Sequence, residues 1–377
     1  MTLVIFNWFD SLESLALLLI VTHFTPPLVY YLYARANWLP KPWNLRIDES
    51  YKPYVTIILP TYNEAEIIKN RLDNMYEQDY PRDLIEVIVI DSGSSDGTPD
   101  LIEEWAREHS DLALKLIREP VRMGKVHALN HALRYARGEV IVIADADALW
   151  PANALSKTVK WISDPLVGAV SSLKKPLGPG NPRVEESYRK HYNVLRIAES
   201  KAFSTPIFHG ELAAFRADLL REVDGFSRNV GADDSHTATK IASKGFRSII
   251  PEDLWIVEMI PRNGYFSWRV RRAQHLLQHF VESLKLEVAS SEFRRILLVE
   301  SYLHLINPWL LVMATVIFLV SAIVNYSILA TVMLALGLAL LTFKSYRSWV
   351  MAQLFLILGM IKNCRNKEIV WTKQNKR

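Results

Sequence analysis

The sequence predicts an α/β domain with a mostly parallel sheet, flanked by hydrophobic helices that could cross a membrane. From Tyr54 onward, short β-branched runs alternate with amphipathic stretches, which is typical of strands and helices in a parallel sheet. Most of the 44 basic and 40 acidic residues lie between about residues 45 and 295. In contrast, segments 14–34 and 301–343 contain no Asp, Glu, Lys or Arg, so both are membrane candidates.

The first hydrophobic segment, 14–34, has about the 20 residues that a helix needs to cross a bilayer, although Pro26 and Pro27 should kink it. Acidic Asp10 and Glu13 precede it and no small-residue cleavage site follows, which disfavours a signal peptide. Basic residues follow the segment, and they predict that the next domain lies in the cytoplasm: Arg35, Lys41, Arg46 and Lys52.

The second hydrophobic segment is long enough for a hairpin of two spanning helices with a turn at 325–327. The last apolar run, 348–361, has only 14 residues and precedes a basic tail, so we expect an interfacial or re-entrant helix there. The prediction is an integral membrane protein with about three spans and a cytoplasmic tail. Its segments are 1–45 (first span and linker), 46–262 (α/β domain), 263–296 (interfacial amphipathic helices), 297–343 (hairpin) and 344–377 (final helix and tail).

Composition excludes several classes of function. The net charge of +4 is small and dispersed, which disfavours nucleic-acid binding. A single cysteine, Cys364, cannot form an intrachain disulfide or a thiolate zinc cluster. Neither a G-x-G-x-x-G turn after the first strand nor a P-loop motif occurs, so a dinucleotide oxidoreductase and a P-loop phosphotransferase are disfavoured.

Acidic and polar residues follow the predicted strands at one edge of the sheet. Asp145 and Asp147 follow the fourth apolar run, and two hard carboxylates there suit Mg²⁺ or Mn²⁺ bridging a diphosphate. Asp91 ends the second run, where it could contact a nucleotide or cap the following helix. Lys125 follows Gly124 at a helix start and could meet a phosphate.

Taken together, the motifs between about Tyr54 and Gln278 resemble glycosyltransferase family 2. They are Pro60-Thr61-Tyr62-Asn63-Glu64, the Asp91 turn, Gly124-Lys125 with Asn130, Asp145-Ala146-Asp147, Phe208-His209-Gly210 before Arg216, and Gly231-Ala232-Asp233-Asp234. The resemblance implies a GT-A fold, a Rossmann-like α/β arrangement, and inverting sugar transfer from a nucleotide donor. It also implies a catalytic acidic pair at Asp233 and Asp234, with Asp234 as the base, although a helix N-cap pair would have the same sequence.

The resemblance further implies the donor-binding residues. The predicted nucleotide-sugar contacts are Pro60, Tyr62, Glu64, Asp91, Lys125, Asp145 and Arg271, and Arg272 is the cation expected beside the leaving diphosphate. Two features depart from the family pattern. Ser92 stands where members often have a second Asp, and the Q-x-x-R-W motif of processive members is replaced by 269–273, which keeps only the arginines. The stretch 268–279 would equally suit a helix that binds the membrane surface.

The sequence therefore predicts a metal-dependent, non-processive hexosyltransferase that uses a nucleotide sugar. No motif specifies the base or the sugar, and the resemblance to dolichol-linked mannosyl transferases implies GDP-mannose first and otherwise a UDP-hexose. Its acceptor is expected to be a polyprenyl- or dolichyl-linked glycan or glycolipid at the cytoplasmic membrane face. Three alternatives remain: a polyprenyl-phosphate sugar synthase, a processive polysaccharide synthase, and a non-catalytic membrane scaffold.

Overall fold

The structure is a computed structural model that describes residues 2–177, 182–261 and 263–366, with side chains from residue 11 onward except at 182–184, 187 and 188. Much of the predicted basic tail, from residue 367, lies outside the described residues. The α/β domain contains a seven-stranded sheet in the order β3-β2-β1-β4-β8-β6-β9. Its strands are β1 (Val55–Thr61), β2 (Ile85–Ser92), β3 (Ala113–Glu119), β4 (Val140–Ala144), β6 (Val167–Ser171), β8 (Leu212–Arg216) and β9 (Arg247–Ile249).

The apolar runs that the sequence predicts as strands all belong to this sheet, which confirms the predicted fold class; they are 55–59, 87–90, 113–117, 140–143 and 167–170. Strand β1 pairs in parallel with β2 and β4, whereas β8 runs antiparallel to both β4 and β6. Side chains alternate between two buried layers, so that Ile57 packs on one face and Ile58 on the other. Both faces of β1, β2 and β4 are covered, and this explains why these central strands are rich in Val and Ile.

Helices cover the two faces of the sheet and place the polar turns at its carboxyl edge. They are α2 (Ile68–Tyr76), α3 (Thr98–Glu108), α4 (Lys125–Leu133), α5 (Ala154–Ile162), α6 (Pro182–Ala202), α7 (Ala217–Glu222) and α8 (Asp233–Ser243). A second, three-stranded sheet consists of β5 (Ala148–Leu149), β7 (Leu173–Leu177) and β10 (Trp255–Met259). Strand β10 is parallel to β7 and antiparallel to β5, so it joins the metal-motif turn to the region of Lys174.

Hydrophobic helices lie on both sides of the domain in the sequence. Helix α1 (Thr2–Tyr33) continues through both prolines into a short π-helical segment, Ala34–Trp38. The C-terminal part contains α9 (Tyr265–Ser283), α10 (Ser291–Leu305), α11 (Asn307–Val324), α12 (Ile328–Leu340) and α13 (Lys344–Arg365). Among the described residues, two helices are long and apolar enough to cross a membrane, Ser11–Trp38 and Ser291–Val324.

The predicted hairpin differs in detail from the observed helices. Its first arm extends back to Ser291, so α10 and α11 together form one candidate span that includes part of the segment expected to be interfacial. Its second arm, α12, has only 13 residues and meets α13 at a bend of 105°; the bent pair is a third span only if both helices count as one. The continuation of the helix through 291–300 depends on residues such as Phe293, Ile296 and Leu297, which are buried although charged neighbours interrupt the apolar run.

The hydrophobic helices contact one another and the domain. Ala16 of α1 packs with Ala314 and Phe318 of α11. Helix α13 lies against α9 so closely that a Cβ on Gly359 would be 2.8 Å from the backbone nitrogen of Gln274 and 3.0 Å from the Cβ of Ala273. Glycine is therefore required at this crossing, and it brings α13 to the edge of the cavity described next.

Candidate active site

The metal motif lies directly beyond strand β4, beside a buried lysine. Lys125 is the first residue of α4, and the preceding Gly124 has a φ of +99°, which glycine adopts without strain. The Lys125 ammonium donates to Asp145 Oδ1 at 2.8 Å. Burial alone would lower the pKa of Lys125, but the carboxylates of Asp145, Asp233 and Asp234 outweigh it and hold the pKa above its usual value. Lys125 is therefore a fixed positive charge among the acidic residues.

The predicted catalytic pair opens helix α8 in the same cavity. Asp233 Oδ2 lies 4.0 Å from Lys125 Nζ and has no hydrogen-bond partner in the described part of the chain. Asp234 Oδ1 accepts a hydrogen bond from the backbone N–H of Ser235 at 2.8 Å. Burial, followed by the charge of Asp233, raises the pKa of Asp234 to about 7, against the opposing effect of Lys125. A carboxylate with this pKa can accept a proton near neutral pH.

Gly210 allows the chain to pass between these charged groups. A Cβ at this position would lie 3.1 Å from Lys125 Nζ and 3.3 Å from Asp234 Oδ2. The backbone before β8 is fixed against α8, because the N–H of Phe208 donates to Ser235 Oγ at 3.0 Å. The Phe208-His209-Gly210 segment thus lines the cavity beside both Lys125 and Asp234.

The acidic residues fit a divalent metal ion. Asp145 and Asp147 both line the cavity and supply hard carboxylate oxygens. The unbonded Asp233 oxygen lies near Asp145, because Lys125 contacts both residues. No group of three or more His, Cys, Asp or Glu residues suited to a metal occurs within the described ranges. One or two carboxylates are sufficient where a diphosphate and water complete the coordination of Mg²⁺-like ions.

Three residues of the opening motif, Pro60, Tyr62 and Glu64, line one end of the cavity. The Arg122 guanidinium stacks over the Tyr62 ring at 4.1 Å from its centroid and lines the same end. The sequence did not single out Arg122, because an arginine in a loop carries no motif.

Asp91 is the one predicted site residue that does not line the cavity. It is buried, and its carboxylate accepts hydrogen bonds from Ser94 N at 2.9 Å, Ser94 Oγ at 2.5 Å and Thr61 Oγ1 at 3.2 Å. Ser92 lines the cavity instead. These bonds tie the Asp91 carboxylate to the turn after β2 and do not cap helix α3, where the N–H of Thr98 donates to Asp96 Oδ1 at 3.1 Å. A direct contact between Asp91 and the nucleotide stays a prediction.

The two predicted arginines of α9 both line the cavity. Arg272 Nη1 contacts Glu258 at 2.5 Å and Glu211 at 3.6 Å, and its guanidinium stacks on Trp268 at 4.9 Å. Burial would lower the pKa of Arg272, but the two carboxylates outweigh it and raise the pKa. Arg272 is therefore part of an ion-pair cluster in the cavity wall.

This cluster was not predicted from the sequence. Lys174 Nζ contacts Glu211 at 2.8 Å and Glu258 at 3.4 Å, and Arg189 pairs with Glu258 through Nη2. Burial opposes the ionisation of Glu258, but Arg189, Lys174 and Arg272 outweigh it and hold its pKa well below the usual range. Its members come from β7, α6, β10 and α9, so no local spacing relates them. The parallel pairing of β7 with β10 brings them together.

The cavity has a volume of about 380 Å³ and extends beyond the acidic residues toward the hydrophobic helices. Its far end is lined by Arg196 of α6, His304 of α10, and Ala352, Phe355 and Leu356 of α13. One continuous space therefore connects the metal motif with a helix that follows the hydrophobic segments.

Comparison with known proteins identifies this arrangement. Residues 56–224 match the sequence profile of Glycosyl transferase family 2. The chain is also 52% identical to the mannosyltransferase PcManGT from Pyrobaculum calidifontis, solved in complex with GDP-Man and Mn²⁺. The similarity covers 94% of this chain and 99% of that one, with a TM-score of 0.86. The chain belongs to glycosyl transferase family 2.

Other members of family 2 are more distant. The chain is 24% identical over 279 residues to the poly-beta-1,6-N-acetyl-D-glucosamine synthase of Staphylococcus epidermidis, which covers 68% of this glycosyltransferase and 64% of the synthase. It is 26% identical over 207 residues to the glycosyltransferase AglE of Haloferax volcanii, covering 54% of this chain and 66% of that protein. The chain thus spans just under two thirds of the length of these relatives. The predicted family, the GT-A fold and the glycosyltransferase class are confirmed.

Proposed function

We propose that this family 2 glycosyltransferase transfers mannose from GDP-mannose to a lipid-linked acceptor at the cytoplasmic membrane face, with inversion and without processivity. The observation that carries the proposal is the presence in one cavity of a metal-suited pair, Asp145 and Asp147, and a carboxylate with a pKa near 7, Asp234. The donor follows from the relative at 52% identity, which was solved with GDP-Man and Mn²⁺. UDP-hexoses are the second donor class to test.

In this mechanism, Asp234 accepts the proton of the acceptor hydroxyl while the hydroxyl oxygen attacks the anomeric carbon. The bond from that carbon to the diphosphate oxygen breaks, and the electron pair leaves with GDP. A single displacement of this kind inverts the configuration. A divalent ion held by Asp145 and Asp147 supplies positive charge against the departing diphosphate when bound. Lys125, which already pairs with Asp145, is placed to take over a phosphate oxygen.

The membrane assignment rests on the helices around the cavity. We infer three spans, α1, the α10–α11 helix and the bent α12–α13 pair counted as one, with α13 also packing against α9 of the catalytic domain. Two features support this position for α13: its bend of 105° from α12, and its residues Ala352, Phe355 and Leu356 in the cavity wall. Basic Lys344 and Arg347 at the start of α13 favour the cytoplasmic side. An acceptor carried by a lipid would then reach the site along the membrane surface.

A polyprenyl-phosphate sugar synthase is the second candidate, and the cationic cavity wall favours it. Its nucleophile is a phosphate that is already ionised at neutral pH, so it needs no base. The two candidates therefore differ in their dependence on Asp234.

The test is transfer by the purified, full-length protein in lipid nanodiscs, with a panel of radiolabelled nucleotide sugars and either Mg²⁺ or Mn²⁺. We expect label from GDP-mannose to move into the lipid fraction, and to do so only with a divalent ion. Label moving from another donor but not from GDP-mannose would overturn the donor assignment. If label appears only as free sugar with every lipid fraction that is supplied, the proposal of transfer to a lipid is wrong.

A further inference from the structure

Among the described residues, more positive than negative side chains line the cavity beside α6, β7 and α9. Five of these cations, Lys174, Arg189, Arg269, Arg271 and Arg272, are here called the basic wall, and Arg196, further along α6, lines the cavity as well. The basic wall surrounds three carboxylates, Glu185, Glu211 and Glu258. The side chains of Lys174 and Arg189 are only 2% and 9% exposed, and a buried positive charge is costly unless negative groups face it.

Within the basic wall, Arg189 has a buried N–H group that is not used in a hydrogen bond to the described part of the chain. Its side chain is only 9% exposed. Nε contacts Glu185 at 3.4 Å and Nη2 pairs with Glu258, whereas Nη1 is buried and meets no hydrogen-bond acceptor in the described part of the chain. Nη1 can therefore donate to an oxygen atom of a ligand that enters the cavity.

Arg189 belongs to a different ion-pair group from the metal motif. It contacts Glu185 and Glu258, whereas Lys125 contacts Asp145. Phe355 lies beside this group, because the Arg269 guanidinium contacts Glu185 and stacks over the Phe355 ring at 5.2 Å from its centroid. Phe355 and Leu356 both line the cavity and are apolar. A ligand that suits both features carries an anionic group attached to a hydrocarbon chain.

We propose that the basic wall, through Arg189, binds the phosphate of the acceptor lipid, a long-chain alkyl phosphate that is either bare or carries a short glycan. This inference rests on the proposed transfer to a lipid-borne acceptor and narrows its substrate class. Because the basic wall and the acidic pair, Asp233 and Asp234, line the same small cavity, the phosphate of the acceptor lipid lies close to the reacting sugar. Long glycans between the phosphate and the accepting hydroxyl are therefore disfavoured.

The test compares Arg189→Gln with the wild type on three acceptors that share one dodecyl chain: dodecyl phosphate, dodecyl phosphate bearing one mannose, and dodecyl mannoside without phosphate. We expect the variant to raise the KM of each phosphate-bearing acceptor that the wild type uses at least tenfold. The KM for GDP-mannose and for dodecyl mannoside should change less than twofold. Arg189→Lys should recover part of the effect, because it restores a point charge without the fork geometry.

Binding of dodecyl phosphate by isothermal titration calorimetry provides a measurement independent of turnover and of the donor assignment. We expect at least a tenfold weaker Kd for Arg189→Gln, and no change for the matched control Arg118→Gln, which removes an exposed arginine paired with Glu103 on the outer surface. We expect Arg189→Gln to fold, because Lys174 and Arg272 still neutralise Glu258. An unchanged melting temperature of the variant would exclude misfolding.

Three outcomes would overturn the proposal: an unchanged Kd for dodecyl phosphate, an equal loss on acceptors with and without phosphate, or an increase in the KM for GDP-mannose alone, which would assign Arg189 to the donor. If the wild type transfers no mannose but binds dodecyl phosphate through Arg189, the proposed donor is wrong and the phosphate site stands.

Discussion

The side-chain amide of Gln278 makes two hydrogen bonds. Its Oε1 accepts from the backbone N–H of Gly231 at 2.9 Å, and its Nε2 donates to Asn363 Oδ1 at 2.8 Å. Gly231 lies two residues before the acidic pair, Gln278 belongs to α9, and Asn363 belongs to α13. One side chain thus links helix α13 to the loop that positions Asp233 and Asp234.

Removing this link should slow catalysis. We expect Gln278→Leu to lower kcat roughly tenfold, because an unsatisfied buried N–H costs about 1–3 kcal/mol and would release the loop. The KM for GDP-mannose should change little. The matched control is Gln274→Leu, since Gln274 also bonds α13, at the Asn366 carbonyl, but does not contact the loop. Equal kcat losses in both variants would show that only the attachment of α13 matters.

The pKa of Asp234 predicts a pH dependence. Because burial raises this pKa to about 7, the free enzyme holds Asp234 protonated, and inactive as a base, at lower pH. We therefore expect kcat/KM to rise with pH and to level off above about 7. Asp234→Asn should lose 10²–10⁴-fold in kcat and the acid limb of the profile. Near-normal turnover of this variant would favour the polyprenyl-phosphate synthase.

The metal motif predicts a specific pattern of losses. Asp145→Asn and Asp147→Asn should each weaken Mn²⁺ binding and reduce transfer by at least about a hundredfold, since each removes a hard anionic ligand. Chelation should abolish transfer by the wild type, and added Mn²⁺ should restore it. The control Asp100→Asn alters an exposed carboxylate paired with Arg118 and should leave Mn²⁺ binding unchanged. Electron paramagnetic resonance measures the Mn²⁺ affinity of each variant, and so tests the metal site independently of activity.

Two glycines in the hydrophobic helices should respond differently to alanine. A Cβ on Gly359 would come within 2.8 Å of the Gln274 backbone, whereas the nearest atom to one on Gly337 is the Tyr346 hydroxyl at 4.0 Å. We expect Gly359→Ala to push α13 from α9, lowering both the melting temperature and kcat, and Gly337→Ala to be neutral. Thermal unfolding and transfer assays in the same nanodiscs measure both effects, and equal behaviour of the two variants would contradict the close crossing.

The parts of the structure that follow local rules were predictable from the sequence. The strands are read from β-branched runs, and the carboxyl ends of parallel strands meet at one edge, which placed Asp145 and Lys125 together. Asp91 was ambiguous because a turn cap and a nucleotide contact require the same residue at the same strand end. The structure shows three hydrogen bonds that tie Asp91 to Thr61 and to Ser94 of the turn.

What the sequence could not predict depends on pairing between distant segments. Lys174 and Glu258 belong to strands that are parallel neighbours in the three-stranded sheet, and neither stands in a motif. Arg189 is an ordinary helix residue, paired with Glu185 four positions before it, until β10 places Glu258 beside it. Such clusters need the tertiary arrangement, because a charge that stands alone in sequence is usually on a solvated surface.

The wall that Phe355 and Leu356 contribute has a consequence for the order of events during synthesis. These residues follow Asp234 by more than a hundred positions, and translation adds about 5 to 20 residues per second. The catalytic domain thus leaves the ribosome roughly ten seconds before the helix that closes its cavity. During that interval the acidic residues face open water, and the nascent domain can fold before it can enclose a donor. Completion of the active site is therefore coupled to the membrane insertion of the hydrophobic segments that lie between the catalytic domain and α13 in the sequence.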